Sequence, residues 1–249
     1  MMTELEGRRV LVTGAATGIG AAAVSALSSA GAQVVATFHH QPPQTEAADW
    51  LPCDVTDAAS VEQLFSTIRT QLGGLDVLIH AAGAWKPGIP GQIEPADLDA
   101  VMATNFTSTV LTNQAAYGLM QNSGGQIINF GSAEAVMGSP LAAGYAAAKA
   151  AVAAWTRSAA RAWASQQITA NVLAPAVETP GAQRLRDFLG PDAAPFLDQQ
   201  LQQSIPLGGG LGDPLRDIGP VLVFLSSPGA RFITGQLIAV DGGLVMLGS

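Results

Sequence analysis

Short apolar runs alternate with longer segments of helical periodicity along the whole chain. The apolar runs predict strands at residues 9–13, 33–38, 50–53, 75–80, 126–130, 168–173 and 237–240. The segments between them predict helices at about residues 19–30, 58–71, 95–121, 145–165 and 214–226. Because such alternation is typical of βαβ units, it predicts an α/β fold: a doubly wound, seven-stranded parallel sheet between two helical layers, in three layers αβα.

Two segments depart from this alternation. Residues 39–49 contain two prolines and are too short for a crossover helix, so a loop is predicted between the second and third strands. Residues 179–212 contain only two short amphipathic pieces, at 183–189 and 194–203. A long insertion after the carboxyl end of a strand favours a substrate lid, at about residues 180–210.

The chain carries few charges. Charged residues make up 12% and hydrophobic residues 48% of the sequence, against roughly 25% charged in soluble domains, which excludes intrinsic disorder. Residues 10–38 and 100–133 are uncharged and long enough for a bilayer span, but the glycines of the first and the amides of the second argue against a membrane segment. At this length we expect a single domain, over residues 1–249.

The charge pattern also bears on partners. The net charge of −8 includes no basic cluster, which argues against nucleic acid and favours a small-molecule partner. The start MMTELEGRR lacks the apolar core of a signal peptide, so we expect a cytoplasmic protein. The single cysteine, Cys53, allows no internal disulfide and is expected to be a buried packing group. The three histidines lack ligand spacing, so no metal site is predicted.

A glycine motif follows the first predicted strand, in the sequence VLVTGAATGIG at residues 10–20. Gly14 allows the chain to turn, Gly18 allows the backbone to approach a pyrophosphate, and Gly20 allows the helix to pack closely on the sheet. The phosphates would be stabilised at the helix N-terminus. An ordinary tight turn between strand and helix is the alternative.

A second group consists of Ser132, Tyr145 and Lys149. The i, i+4 spacing puts Tyr145 and Lys149 on one helix face, and Ser132 lies just after the carboxyl end of a strand, where open α/β sheets bind ligands. An ammonium near a phenol lowers its pKa, as a general acid/base requires. A helix with an incidental tyrosine and lysine is the alternative interpretation.

Together these motifs resemble the short-chain dehydrogenase/reductase (SDR) family. The resemblance rests on TGAATGIG, CDVTD, HAAG, the asparagine of MATNF, the Ser132, Tyr145 and Lys149 set, and the closing VDGG, in family order over almost the whole chain. It implies a Rossmann-type fold and an NAD(P)(H)-dependent oxidoreductase that interconverts a ketone or aldehyde with an alcohol by hydride transfer. Two alternatives remain, a non-catalytic dinucleotide-binding regulator and a lyase of the same fold.

The resemblance assigns roles to four residues. Tyr145 is implied as the proton donor or acceptor, and Ser132 as the group that hydrogen-bonds the substrate oxygen. Lys149 is implied to bind the nicotinamide ribose and to lower the pKa of Tyr145, and Asn105 to hold a proton-relaying water. The cofactor-binding residues implied by the same match, beside Tyr145 and Lys149, are Gly14, Thr17, Gly18, Ile19, Gly20, Asp54, Val55, Ala81, Ala82, Gly83, Pro175, Val177 and Thr179.

The chain departs from the family pattern in three places. His80 stands where the family has asparagine, and we expect a buried histidine satisfied by the backbone. The usual Pro-Gly is Pro175-Ala176, and Thr179 follows that proline by four residues rather than five. This shift could reposition the loop near the carboxamide.

The third departure concerns the cofactor. Phe38 replaces the acid with which NAD-specific members bind the ribose hydroxyls. His39, His40 and Thr17 lie where NADP enzymes place basic groups, so NADP(H) is favoured over NAD(H).

Four residues besides Ser132 are expected around the reacting carbon: Trp85, Glu134, Met137 and Phe188. Glu134 either faces the pocket, where it would disfavour carboxylate substrates, or caps a turn. Residues 145–164 contain 11 alanines and few charges, a composition that fits helix packing across a two-fold axis. The resemblance implies a homodimer or homotetramer built through this helix and the preceding long one.

Overall fold

The computed structural model describes residues 4–40, 43 and 46–246. Its strands form one parallel sheet in the order β3-β2-β1-β4-β5-β6-β7. They are β1 (Arg9–Thr13), β2 (Gln33–Phe38), β3 (Asp49–Pro52), β4 (Val77–His80), β5 (Gly125–Phe130), β6 (Ile168–Pro175) and β7 (Leu237–Val240). The predicted doubly wound, seven-stranded parallel sheet is confirmed.

Helices cover both faces of the sheet. They are α1 (Gly18–Ser29), α2 (Ala58–Leu72), α3 (Pro95–Met102), α4 (Ser108–Met120), α5 (Glu134–Met137), α6 (Ala143–Ala162), α7 (Pro180–Ser204) and α8 (Gly219–Ser226). Shorter helical turns are the π segments Ala103–Thr107 and Pro214–Ile218 and the 3-10 turns Ala164–Gln166 and Pro228–Ala230.

The strand residues alternate between two apolar clusters. Val10 and Val12 of β1 pack with Leu222 of α8 on one face, whereas Leu11 packs with Ile68 of α2 on the other. Because successive strand side chains point to opposite faces, a sheet that is buried on both sides needs apolar residues at every position. The continuous apolar runs of the sequence follow from this burial.

Some predicted boundaries are wrong. The helix predicted at 95–121 is divided by the π segment Ala103–Thr107, and the one at 214–226 opens with another. The strand predicted at 75–80 begins only at Val77, and the Asp76 side chain before it accepts hydrogen bonds from the backbone and guanidinium of Arg9. The short helix α5 was not predicted.

The segment after β6 contains helical pieces, as predicted. Gly190 has φ 76° and ψ 173°, so α7 consists of two helices that meet there. Arg186 of the first piece binds Asp198 of the second at 3.0 Å, which connects the two pieces. It also binds Glu178, which follows β6, at 2.7 Å. The predicted loop at 39–49 and the N-terminal start lie partly outside the described residues. In the part of the chain that is described, no helix is long and apolar enough to cross a membrane.

Candidate active site

A cleft of about 700 Å³ opens at the carboxyl ends of β1 and β4, where the strand order reverses direction. It brings together nearly all of the residues singled out from the sequence: Gly14, Thr17, Gly18, Ile19, Gly20, Phe38, His39, His40, Asp54, Val55, Ala81, Ala82, Gly83, Trp85, Asn105, Ser132, Tyr145, Lys149, Pro175, Val177 and Thr179. Of the predicted set, Glu134, Met137 and Phe188 do not line this cleft.

The glycine turn leaves room for a phosphate group above the start of α1. Gly14 has φ +61°, and a Cβ there would lie 2.5 Å from the Cα of Ala82. A Cβ on Gly20 would lie 2.3 Å from the carbonyl oxygen of Gly14, so glycine is needed for the helix to approach the strand. Thr17 at the N-cap makes no side-chain capping bond. The exposed N–H groups of the first turn therefore suit a dinucleotide diphosphate.

The opposite end of the cleft combines one carboxylate with two imidazoles. Asp54 accepts hydrogen bonds from the backbone and hydroxyl of Thr56, which lower the pKa of its carboxyl group. His39 Nε2 lies 3.7 Å from Asp54 Oδ2, and the rings of His39 and His40 lie with centroids 3.6 Å apart at an interplanar angle of 31°. Phe38 leaves this end without an acid at the strand terminus.

The three candidate catalytic side chains come from two neighbouring elements. Ser132 follows β5, and Tyr145 and Lys149 lie one turn apart on α6. Lys149 Nζ donates to the carbonyl oxygen of Phe130 at 3.0 Å and lies 5.8 Å from the centroid of the Tyr145 ring. Burial lowers the pKa of Lys149 to about 8.

The pKa of Tyr145 shifts in the direction opposite to the sequence-based prediction. Burial raises it above its ordinary value, and the charge of Glu134 raises it further. A hydrogen bond with Ser132 and the charge of Arg184 lower it. In this structure desolvation outweighs these favourable partners, so the phenol is held in its protonated form.

Asn105 is placed by the π segment that interrupts the predicted long helix. It is fully buried, and its Nδ2 donates to the carbonyl oxygens of Ala84 and Val101, both at 3.0 Å. Its Oδ1 accepts from the Ala84 N–H at 3.1 Å. A Cβ on Gly83 would lie 3.0 Å from Asn105 Oδ1 and 3.3 Å from Lys149 Nζ. The glycine thus leaves space between these two polar side chains.

His80 is buried as expected, but its partners are not backbone groups. Its Nδ1 lies 2.8 Å from the hydroxyl of Thr13 and 3.0 Å from that of Thr112, and its Nε2 lies 3.2 Å from the hydroxyl of Ser108. Burial, with the charge of Lys149, lowers the pKa of His80 to about 3. The imidazole is therefore a neutral structural bridge between the sheet and α4.

The expected substrate wall is only partly assembled. Trp85 lines the cleft, and its ring lies 6.1 Å from that of Phe188, which is 44% exposed. Met137 is 57% exposed at the end of α5 and does not line the cleft, because the short helix turns its side chain to solvent. Glu134 does not face the cleft: its backbone N–H donates to Ser132 Oγ at 3.2 Å, and its carboxylate, which accepts from the Trp85 indole, acts on Tyr145 only through its charge.

Several cleft residues were missed by the sequence analysis. The main ones are Thr104, Phe130, Gly131, Pro180, Gly181 and Arg184. Arg184 lies on the first piece of α7, and a basic residue within the predicted lid was the available signal. Within the described residues, no group of three His, Cys, Asp or Glu side chains could hold a metal ion. Cys53 is buried, and burial raises the pKa of its thiol.

Comparison with known proteins gives a consistent result. The profile of a family described as Enoyl-(Acyl carrier protein) reductase matches residues 14–245. The chain is 36% identical to a 3-oxoacyl-(acyl-carrier-protein) reductase of Vibrio cholerae, over 98% of this chain and 99% of the relative. The Escherichia coli protein of the same name is 32% identical, over 97% and 99%. The aldohexose dehydrogenase of Thermoplasma acidophilum superposes with a TM-score of 0.90 at 25% identity, covering 100% and 99% of the two chains.

Proposed function

Because the chain belongs to the short-chain dehydrogenase/reductase family and is an NAD(P)(H)-dependent oxidoreductase, we propose that it reduces a ketone to a secondary alcohol with NADPH. The observation that carries this proposal is the convergence of Ser132, Tyr145 and Lys149 in the same cleft as the glycine turn. The names of the Vibrio cholerae and Escherichia coli relatives describe reduction of a 3-oxoacyl group, which supports a ketone as the reacting group.

Four polar residues of the cleft have separate roles in the proposed reduction. A bound nicotinamide dinucleotide supplies the hydride. Tyr145 holds the proton that the carbonyl oxygen receives, since burial keeps the phenol protonated. Ser132, whose hydroxyl lies beside that phenol, orients the carbonyl oxygen by hydrogen bonding. Lys149, whose ammonium donates to the Phe130 carbonyl, would hold the nicotinamide ribose, and Asn105, which lies next to it across Gly83, would hold a proton-relaying water.

The preference for NADP(H) rests on the adenine end of the cleft. No acid at Phe38 repels a 2′-phosphate, and His39 and His40 offer two imidazoles that can donate to it. Among the lining residues of that end, Asp54 is the one acid; its Oδ1 accepts both bonds from Thr56, and its Oδ2 lies 3.7 Å from His39 Nε2.

We also propose that α4 and α6 pair with a second copy of the chain in a homodimer or homotetramer. Exposed positions of α6 such as Ala147 and Ala150 carry small side chains, which permit close helix packing. A molar mass of one chain in sedimentation equilibrium would contradict this assembly.

The test of the proposed function measures dinucleotide binding and turnover together. Titration of protein fluorescence should show tighter binding of NADPH than of NADH, and a ketone panel should yield alcohol with matching NADPH oxidation. Phe38→Asp should weaken NADPH binding at least about tenfold, because an acid there repels the 2′-phosphate. The neutral control Phe38→Asn should change it much less. Tighter NADH binding by the wild type, or no oxidation of NADPH with any ketone, would contradict the proposal.

A further inference from the structure

Arg184 is a cation that the lid directs toward the catalytic half of the cleft. It lines the cleft, and its charge acts on the phenol of Tyr145. Its Nη2 lies 3.9 Å from the Cβ position of Gly181, and the Cβ of Trp85 lies 3.6 Å from the same point. The guanidinium group and the Trp85 side chain therefore border the same part of the cleft.

Three of the acids on or beside the lid have other partners, and the fourth, Asp192, forms no ion pair with Arg184. Arg186 donates two hydrogen bonds of 2.7 and 2.8 Å to Glu178 and one of 3.0 Å to Asp198. Asp187 accepts from Gln183 Nε2 at 2.8 Å. Among the described residues, Arg184 makes no hydrogen bond or ion pair. Its five N–H donors remain available to a ligand in the cleft.

No acid lines the catalytic half of the cleft. Asp54, the one carboxylate among the lining residues, lies at the adenine end. Glu134 lies outside the lining, binds the indole of Trp85 at 3.2 Å, and has a pKa that burial raises. Its carboxylate is thus held by Trp85 outside the lining and does not border the space in front of Arg184. Lys149, the other lining cation, is occupied by the Phe130 carbonyl.

Resting on the proposed function, we propose that Arg184 forms an anion subsite for a carboxylate on the carbonyl substrate, so that the enzyme prefers oxo acids to neutral ketones. A guanidinium group binds a carboxylate through two parallel hydrogen bonds, which fixes the substrate's orientation as well as its affinity. Trp85, which lines the cleft beside Arg184, supplies an apolar wall for the carbon chain, and Phe188, one helical turn after Arg184, lies 6.1 Å from the Trp85 ring outside the cleft.

The experiment compares each oxo acid with its own neutral ester. The value of kcat/KM is measured for 2-oxobutanoate, 3-oxobutanoate and their methyl esters, with NADPH, in the wild type and Arg184→Met. Arg231→Met, which removes an exposed charge outside the cleft, is the matched control. The acid-to-ester ratio should fall roughly 10- to 100-fold in Arg184→Met and stay unchanged in the control. Because both substrates use the same variant, any change in the pKa of Tyr145 cancels in the ratio.

Measuring NADPH binding shows whether Arg184 binds a carboxylate of the substrate or a phosphate of the cofactor. The Kd of NADPH, from protein fluorescence, should be the same in the wild type and Arg184→Met. Weaker NADPH binding with an equal loss for acid and ester would assign Arg184 to a cofactor phosphate and overturn the subsite. An unchanged ratio in an enzyme that still reduces ketones would overturn the subsite alone. Failure of every carbonyl compound to oxidise NADPH would overturn the proposed function with it.

Discussion

The indole Nε1 of Trp85 donates a hydrogen bond to Glu134 Oε1 at 3.2 Å, which holds a carboxylate two residues after Ser132 and within electrostatic reach of Tyr145. Burial raises the pKa of Glu134, and hydrogen bonds with Ser139 and Trp85 partly offset the shift. When this carboxylate is ionised, its charge opposes loss of the Tyr145 proton. Glu134 thus acts on the reacting group through the phenol rather than through contact with the cleft.

Glu134→Gln should lower the pKa of Tyr145, because a neutral amide no longer opposes formation of the phenolate. Reduction requires the protonated phenol, so the alkaline limb of kcat/KM for ketone reduction should move to lower pH. Trp85→Phe keeps the charge and removes the hydrogen bond, and should shift the limb much less. Superimposable profiles for Glu134→Gln and the wild type would show that the two groups are not coupled.

Lys149→Met should change how the free energy of unfolding depends on pH. The pKa of Lys149 falls from 10.5 to about 8 on folding, so between these values the unfolded chain binds more protons than the folded one. The wild type should therefore gain stability, up to roughly 3 kcal/mol, as pH rises from 8 to 10.5. The variant lacks this gain, and urea unfolding at several pH values measures the difference. The same pH dependence of the free energy of unfolding in both proteins would contradict a lowered pKa of Lys149 in the folded state.

Gly14→Ala should cost both stability and dinucleotide binding. The φ of +61° strains any side chain, and the new Cβ would overlap the backbone of Ala82 at 2.5 Å. Gly7→Ala is the matched control, because Gly7 has φ +78° but nothing within 4 Å of its Cβ position. The control should lose about 1–2 kcal/mol from backbone strain alone. Gly14→Ala should lose more stability than this and should bind NADPH at least about tenfold more weakly. Urea unfolding and NADPH titration measure the two effects. Equal losses in Gly14→Ala and Gly7→Ala would contradict the close approach of Gly14 to Ala82.

The sequence predicted those elements whose structure depends on their own residues rather than on contacts with distant parts of the chain. The sheet follows from apolar runs such as those around Val10 and Leu11, because burial on both faces requires them. The same applies to the glycine turn, since the left-handed φ of Gly14 is a local demand. The spacing of Tyr145 and Lys149 also predicted their common helix face.

Features that depend on distant partners were not predictable in this way. The π segment around Asn105 depends on hydrogen bonds to Ala84, 21 residues away. Two hydroxyl partners of His80 lie 28 and 32 residues along the chain on α4, and the third, Thr13, lies 67 residues away on β1. The raised pKa of Tyr145 reflects burial, which a motif does not report. Whether a lid side chain such as Arg184 faces the cleft depends on how the two pieces of α7 dock.

Tyr145 is the proposed proton donor, and the chain contains its own control residue. Tyr117 is the other tyrosine, and it stacks on Trp163 with ring centroids 5.0 Å apart, outside the cleft. The measurement is kcat for NADPH-dependent ketone reduction, with the NADPH Kd measured in parallel. Tyr145→Phe should lower kcat at least about 1,000-fold with an unchanged NADPH Kd, while Tyr117→Phe keeps the wild-type rate. Turnover by Tyr145→Phe at the wild-type rate would contradict the account.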